Sequence, residues 1–172
     1  LIKDALNGFF IILEDQYAVG DIISVGQVSG LVEQLNLRIT QLRDAEGRLI
    51  TIPNSEIKIV ANLSSNWSRA DLKIAIDYQM NIDRALAIIT QVAEDISKEE
   101  NWREKIWESP QVLGVEEFSD RGVVIRVWIK TEPLKQWEVA REFRRRIKKA
   151  FKQAGMPLPL PQQQVWINPS QK

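Results

Sequence analysis

The stretch from Gly20 to Asn62 leaves a chain like this few folds to choose from. It holds five short β-type runs separated by turn signals: Asp21–Val25, Gly30–Leu35, Leu37–Leu42, Leu49–Ile52 and Ile59–Leu63. The first closes at Gly26 and the second breaks at Asn36. In the third, Leu37, Ile39 and Leu42 alternate with Arg38, Thr40 and Gln41, with one slip at the end. Such alternation marks a half-buried strand. Asp44-Ala45-Glu46-Gly47 reads as a tight turn, and Pro53-Asn54-Ser55 stops the fourth run. Proline has no ladder N–H, and Asn and Ser bond nearby backbone. Strands this short, joined by tight turns, favour a small, strongly bent barrel over a flat sheet.

Before this stretch, Leu1–Leu13 reads as a helix. Ile2, Leu6, Phe9, Phe10 and Leu13 recur at three- and four-residue spacings on one face. Its apolar run, Phe9–Leu13, is far shorter than the ~20 residues that span a bilayer. Read from the residues alone, this is a terminal helix packed on its own domain. Glu14 and Asp15 follow it, where carboxylates oppose the helix dipole; the sequence offers no account of their position.

After the polar stretch Ser64–Arg69, the best domain boundary, the pattern changes period. Leu72–Tyr78 alternates as a strand. Asn81 caps a helix that buries Ile82, Leu86, Ile89, Val92, Ala93 and Ile96. Trp102–Trp107 adds a helical turn, which Pro110 ends, and its tryptophans fit no assigned motif. Val112–Phe118 and Val123–Ile129 are strands joined at Asp120-Arg121-Gly122. Gln136–Ala154 is a second helix, buried through Val139, Phe143, Ile147, Ala150 and Phe151 and stopped by Gly155. Met156–Pro161 is extended by its prolines, and Gln163–Ile167 is a last short strand. The order is β-α-β-β-α-β, the ferredoxin-like arrangement. The simplest topology returns the last strand to the same sheet.

With 172 residues, the chain is large enough for one large or two small domains. It contains no Cys and no His, which excludes disulfides, thiolate and imidazole catalysis and the common zinc sites. Its 23 basic and 23 acidic residues balance. Residues 1–70 carry 6 and 8 of them and the remainder 17 and 15, too even a split for a chain dominated by phosphate binding. The chain starts at Leu1 rather than Met and shows no signal peptide. It reads as a fragment of a longer protein.

In order, Gly20-Asp21, Gly26, Gly30, Val32-Glu33, Arg38, Thr40, Leu42-Arg43, Gly47, Ile52-Pro53-Asn54-Ser55 and Asn62 resemble the β domain of the small-conductance mechanosensitive channel (MscS-like) family. Farther on, Phe151–Gly155 and the run to Pro161 match the end of that family's α/β domain. The resemblance implies four parts. Residues 1–15 would be the C-terminal part of the last, pore-forming transmembrane helix. Residues 16–67 would be a five-stranded Sm-like β barrel, and 68–156 a ferredoxin-like α/β domain. Residues 157–172 would be a proline-rich linker and a strand that leaves its own domain. There Val165, Trp166 and Ile167 would join copies from other subunits in a small parallel barrel.

The resemblance also implies a homoheptamer on the cytoplasmic side of the inner (plasma) membrane. The helix face of Ile2, Leu6, Phe9, Phe10 and Leu13 would meet lipid, with Gly8 as its small residue. Ions and small solutes would be the permeants, with no cofactor, no metal and no nucleic-acid partner.

Other chemistry has less support in the residues. The carboxylate pairs Glu14-Asp15, Glu99-Glu100 and Glu116-Glu117 are sequence neighbours without orienting partners, and read as solvated surface charge. Gly26–Gly30 precedes no helix start and is not a phosphate cradle. No nucleophile motif, P-loop or dinucleotide fingerprint is present, so the chain is not read as an enzyme. Arg141, Arg144, Arg145, Arg146, Lys148, Lys149 and Lys152 form a basic helix face. That face keeps an Sm-like or ferredoxin-like RNA-binding module open as the alternative, although Arg121–Trp128, which opens like the RNA-recognition signature, lacks the aromatics that stack bases in that signature. Glu142 and Arg146 at (i, i+4) form an ion pair that favours a solvated face. In a channel vestibule such charge would bias passing ions. A ferredoxin-like ligand-sensing domain is the remaining alternative.

Overall fold

The computed structural model describes residues 1–161 and 163. The expected barrel residues Val165, Trp166 and Ile167 lie outside the described residues. The chain divides into two compact units. One comprises Leu1–Ser68 with Thr131–Gln136, and the other Arg69–Lys130 with the residues from Trp137 onward.

The first unit begins with helix α1, Ile2–Leu13. Five strands follow: β1 Ile22–Val25, β2 Val28–Leu35, β3 Ile39–Arg43, β4 Leu49–Pro53 and β5 Ala61–Asn62. A 3₁₀ turn, Asn54–Glu56, separates the last two. The sheet order is β4-β3-β2-β1-β5, with every described pairing antiparallel. Val32 faces Leu42, and Thr40 faces Ile52, so the inward positions form one row. A β-bulge between Val32 and Gln34 rephases β2 against β3 and bends the sheet. Ile11, Tyr17, Ile23, Val32, Leu42 and Ile57 form the core beneath.

Two details refine the sequence reading. Gly30, expected to open the second run, lies inside β2, which begins at Val28, and faces Ile23. A Cβ there would come within 2.5 Å of the Arg43 carbonyl oxygen, so the close approach of β3 excludes any side chain. The run Ile59–Leu63 pairs only at Ala61 and Asn62, opposite Ile23 and Ser24. Ile59 remains exposed.

The second sheet is formed by β6 Ser68–Ile76, β7 Gln111–Phe118 and β8 Val123–Thr131, in the order β6-β8-β7. Three helices accompany it: α2 Ile82–Lys98, the short α3 Glu100–Arg103, and α4 Gln136–Gln153. The Asn81 side chain accepts from the Arg84 N–H and caps α2. At the other end of the unit, Met156 N–H returns to the Phe151 carbonyl after Gly155 and closes α4. The inward residues of β6 and β8 pack with Ile89, Ile96, Phe143, Ile147 and Phe151 in one core.

The outward positions of this sheet carry a polar cluster. Arg126 donates to both Asp71 oxygens at 2.8 and 2.7 Å and to Glu116 at 2.8 Å. Trp128 Nε1 also donates to Asp71, and the Arg69 guanidinium stacks 4.2 Å from the Trp128 ring centre. The Arg126 guanidinium lies at 5.4 Å from the same ring. The pair Glu116-Glu117 is therefore split, with Glu116 tied to Arg126 and Glu117 near Lys73.

On α4, Glu142 accepts from Arg145 and Arg146, and Arg146 also donates to Glu99. Hydrogen bonds from Arg145, then from Arg146, hold the Glu142 carboxyl down to about 2 from its ordinary 4.5. The folded value lies below the unfolded one. The pair's stabilisation is therefore full above pH 4.5 and is lost as pH falls toward 2. Glu142→Gln should cost about 1–2 kcal/mol at neutral pH, since both partners keep some solvent access. It should also flatten the acid limb. Urea unfolding of both proteins from pH 7 to 2 reads both effects.

Candidate functional site

In the first unit, four of the motif residues, Arg38, Thr40, Asn54 and Ser55, meet at one place: the seat of α1 on the turn after β4. The α1 sequence presents two unlike faces. Asp4, Asn7, Gly8 and Ile11 lie toward the sheet, with Gly8 and Ile11 buried. Ile2, Leu6, Phe9, Phe10 and Leu13 lie on the other side and are 48 to 79% exposed. These five share an apolar helix face that the unit leaves uncovered. Phe9 and Phe10 meet edge to face.

The seat is built around Asn54, which is fully buried. Its Nδ2 donates to the Asn36 carbonyl at 2.8 Å, and its Oδ1 accepts from Thr40 Oγ1 at 2.9 Å. Its backbone N–H donates to the Arg38 carbonyl, and its own carbonyl accepts from Asn7 Nδ2 at 2.6 Å. Asn7 also donates to the Ile57 carbonyl. Because Thr40 donates to Asn54, the buried Tyr17 hydroxyl is the donor to Thr40, at 2.9 Å. Burial pushes the Tyr17 phenol above its ordinary 10. Every polar atom of the Asn54 amide is used, which matters because an unsatisfied buried group costs about 1–3 kcal/mol.

Gly8 sits directly over this seat. A Cβ at Gly8 would collide with the Leu37 carbonyl oxygen and with Asn54 Nδ2. The helix thus approaches the β3 entrance more closely than any residue with a side chain permits. The Ser55 N–H donates to Asp4 Oδ1 at 3.0 Å and completes the clasp. Hydrogen bonding from Ser55, its side chain first and then this N–H, holds the Asp4 carboxyl below its ordinary 3.8.

The remaining motif residues serve neighbouring joints. Asp21 accepts from Ala18 N–H, Ser64 Oγ and Asn62 Nδ2, tying the chain before β1 to the chain after β5. Gly20 N–H donates to the Val32 carbonyl. Gly26 and Gly47 lie in the β1–β2 and β3–β4 turns. Arg43 donates twice to Glu33 at 2.9 Å and once to the Gly47 carbonyl. Arg38 contributes its backbone, and its side chain is exposed. Pro53 ends β4 at the sheet edge, opposite Ile39.

Asn7, Asn36 and Tyr17 complete the seat, and motif reading did not single them out. Their signal was weak, since a polar residue on an apolar helix or beside a turn reads as surface. Among the described residues, no group of three acidic, His or Cys side chains could hold a metal ion. No described helix is long and apolar enough to cross a membrane.

The description "Mechanosensitive ion channel, beta-domain" matches residues 1–69, and "Mechanosensitive ion channel MscS, C-terminal" matches residues 70–158. A small-conductance mechanosensitive channel of Caldanaerobacter subterraneus is 38% identical over 98% of this chain, which spans 58% of that relative. The moderate-conductance mechanosensitive channel YbiO of Escherichia coli is 29% identical over 96% of the chain, which spans 22% of it. Among solved structures, Helicobacter pylori MscS in a closed state overlays with a TM-score of 0.77 at 22% identity. The match covers 98% of this chain and 66% of that one. Arabidopsis thaliana MSL1 overlays at 0.64 with 20% identity, over 91% and 58%.

Gly8→Ala should lift α1 from its seat, at about 1–3 kcal/mol for overpacking, and should raise amide exchange across Asn7–Leu13 while β2 and β3 stay protected. Unchanged α1 protection would contradict the clasp. For Asp4 the folded value is the lower, so its contact is present above the ordinary 3.8 and lost as pH falls through the depressed value. Asp4→Asn should remove that acid-dependent loosening of α1.

Proposed function

Because this chain belongs to the MscS family of mechanosensitive ion channels, we propose that it is the cytoplasmic vestibule portion of a channel opened by membrane tension. In this reading the channel releases ions and small solutes on hypoosmotic shock. It sits in the inner (plasma) membrane as a homoheptamer, with the present residues on the cytoplasmic side. The chain spans little more than half of the Caldanaerobacter relative, so the pore-lining half of the last helix and the helices before it are assigned to the rest of the channel.

One observation carries the reading: α1 is clasped to the β unit by Asn54 and Gly8 while Ile2, Leu6, Phe9, Phe10 and Leu13 face outward. An apolar face of this size on a short helix suits a lipid surface or the flanks of neighbouring helices. Residues 1–15 are accordingly assigned to the end of the pore helix. Tension favours whichever state occupies more bilayer area, and only such a difference moves the equilibrium. A helix fixed to the β unit passes that movement to the chamber below.

The finer architecture belongs to the same proposal. The bent five-stranded sheet of residues 16–67 supports an Sm-like description. The β-α-β-β-α order within 68–156 supports a ferredoxin-like one. Residues 157–172 are assigned to the linker and the shared barrel, with Val165, Trp166 and Ile167 as its strand. The family is one of channels, and no catalytic role is assigned. The RNA-binding alternative loses its best aromatic: Trp128 is stacked against Arg69 and bonded to Asp71, so its ring is not free to stack a base.

Native mass spectrometry of the chain in mild detergent should give a heptamer, and Trp166→Asp should reduce it by placing charge in an apolar barrel. Patches containing the channel that carries this chain should pass current under suction. Absence of tension-evoked current would overturn the reading.

A further inference from the structure

The basic face of α4 is not uniform. One flank is neutralised: Arg145 and Arg146 share Glu142, and Arg146 reaches Glu99. The cavity on that side is also lined by Asp95. On the opposite flank, Arg144 and Lys148 stand one turn apart over a second cavity, of 420 Å³. Arg121 and Lys73 join them from other elements. Arg121, Arg144 and Lys148 are without an ion-pair partner among the described residues. Lys73 is weakly paired with Glu117, at 4.0 Å, and also acts on the Asp71 carboxylate. Among the described residues, no carboxylate lines this cavity.

The backbone that carries these exposed charges is closely packed. Arg121 sits at the tip of the β7–β8 hairpin. The next residue, Gly122, lies so close to the end of β6 that a Cβ would collide with the Ile76 carbonyl. The same Cβ would touch the Pro159 side chain at 3.6 Å, so the hairpin tip lies against the extended segment after α4. Ile147 and Leu158 supply apolar lining. Ile147 is buried in the core, so the floor is fixed.

We propose that this cavity binds a phosphate monoester carrying a compact apolar body. Like charges gathered without counter-charge raise the energy of the empty site, and an anion relieves it. A phosphate monoester brings nearly two negative charges and three acceptor oxygens. Arg121 and Arg144 present forked donors that suit those oxygens, and Lys148 adds a point charge. The apolar wall takes the organic part, and 420 Å³ falls within the usual range for small-ligand sites. A soluble nucleotide and a lipid headgroup with its first carbons share this chemistry. The proposal does not depend on the channel reading.

Isothermal titration of the 172-residue chain with AMP, dihexanoyl phosphatidic acid, inorganic phosphate and adenosine tests it. At least one ester should bind, and inorganic phosphate should be weaker by about tenfold. Adenosine should not bind. Arg144→Gln with Lys148→Gln should weaken the ester by about tenfold or more at unchanged Tm. Arg145→Gln with Lys149→Gln, on the neutralised flank, should leave it unchanged. AMP alone binding identifies a soluble source, and phosphatidic acid alone a lipid one. The proposal is overturned if neither ester binds, if inorganic phosphate or adenosine matches them, or if both double variants lose affinity equally.

Discussion

The first unit depends on one side chain having all its hydrogen bonds. Asn54 is buried at the junction of helix, turn and sheet, and an amide there is tolerable only when each polar atom is met. Asn36, Thr40 and Arg38 meet it from the sheet side, and Asn7 meets its carbonyl from the helix. The partners must sit at fixed positions, so the turn, the start of β3 and the angle of α1 are set together. Apolar packing alone, which has no direction, would not fix that angle. Gly8 lets the two backbones come close enough for those bonds to form.

The second unit handles charge differently. Its core is apolar and continuous, and its ionic groups are arranged on the outside in separate networks. Asp71 collects Arg126 and Trp128, while Glu142 collects two arginines of its own helix. Each network fixes long side chains that would otherwise be mobile. Arg144 and Lys148 escape this pairing because Glu142 lies on the other flank of α4, where it meets Arg145 and Arg146.

Much of this was legible from residue order. Period-two alternation located β3, β6 and β8, and Asn81 and Gly155 marked the ends of helices correctly. The Glu142–Arg146 pair followed from spacing. What sequence could not supply was contact between distant segments. Gly30 reads as the start of a strand, and nothing local reveals the β3 carbonyl that lies against it. The run Ile59–Leu63 looks like a full strand because nothing local shows that its ladder pairing is confined to Ala61 and Asn62. Pro53-Asn54-Ser55 reads as a strand stop, and its larger role depends on Asn7 and Asp4, nearly fifty residues earlier. The face of α1 was visible from periodicity, but periodicity does not say whether an apolar stripe turns inward or outward. Here the inward side is the narrow one of Gly8 and Ile11.

The clasp between α1 and the turn has a mechanical corollary. A joint cushioned by flexible side chains yields gradually, since rotamers can shift while contact persists. The Gly8 joint has no such cushion, because backbone lies directly on backbone. It behaves as a key in a slot: stiff to sliding and twisting until the directional bonds at Asn7 and Asp4 break, then abruptly free. Compliance in this unit must therefore be sought elsewhere, in the hairpin turns and the sparsely paired chain around Ile59, and not where the helix enters.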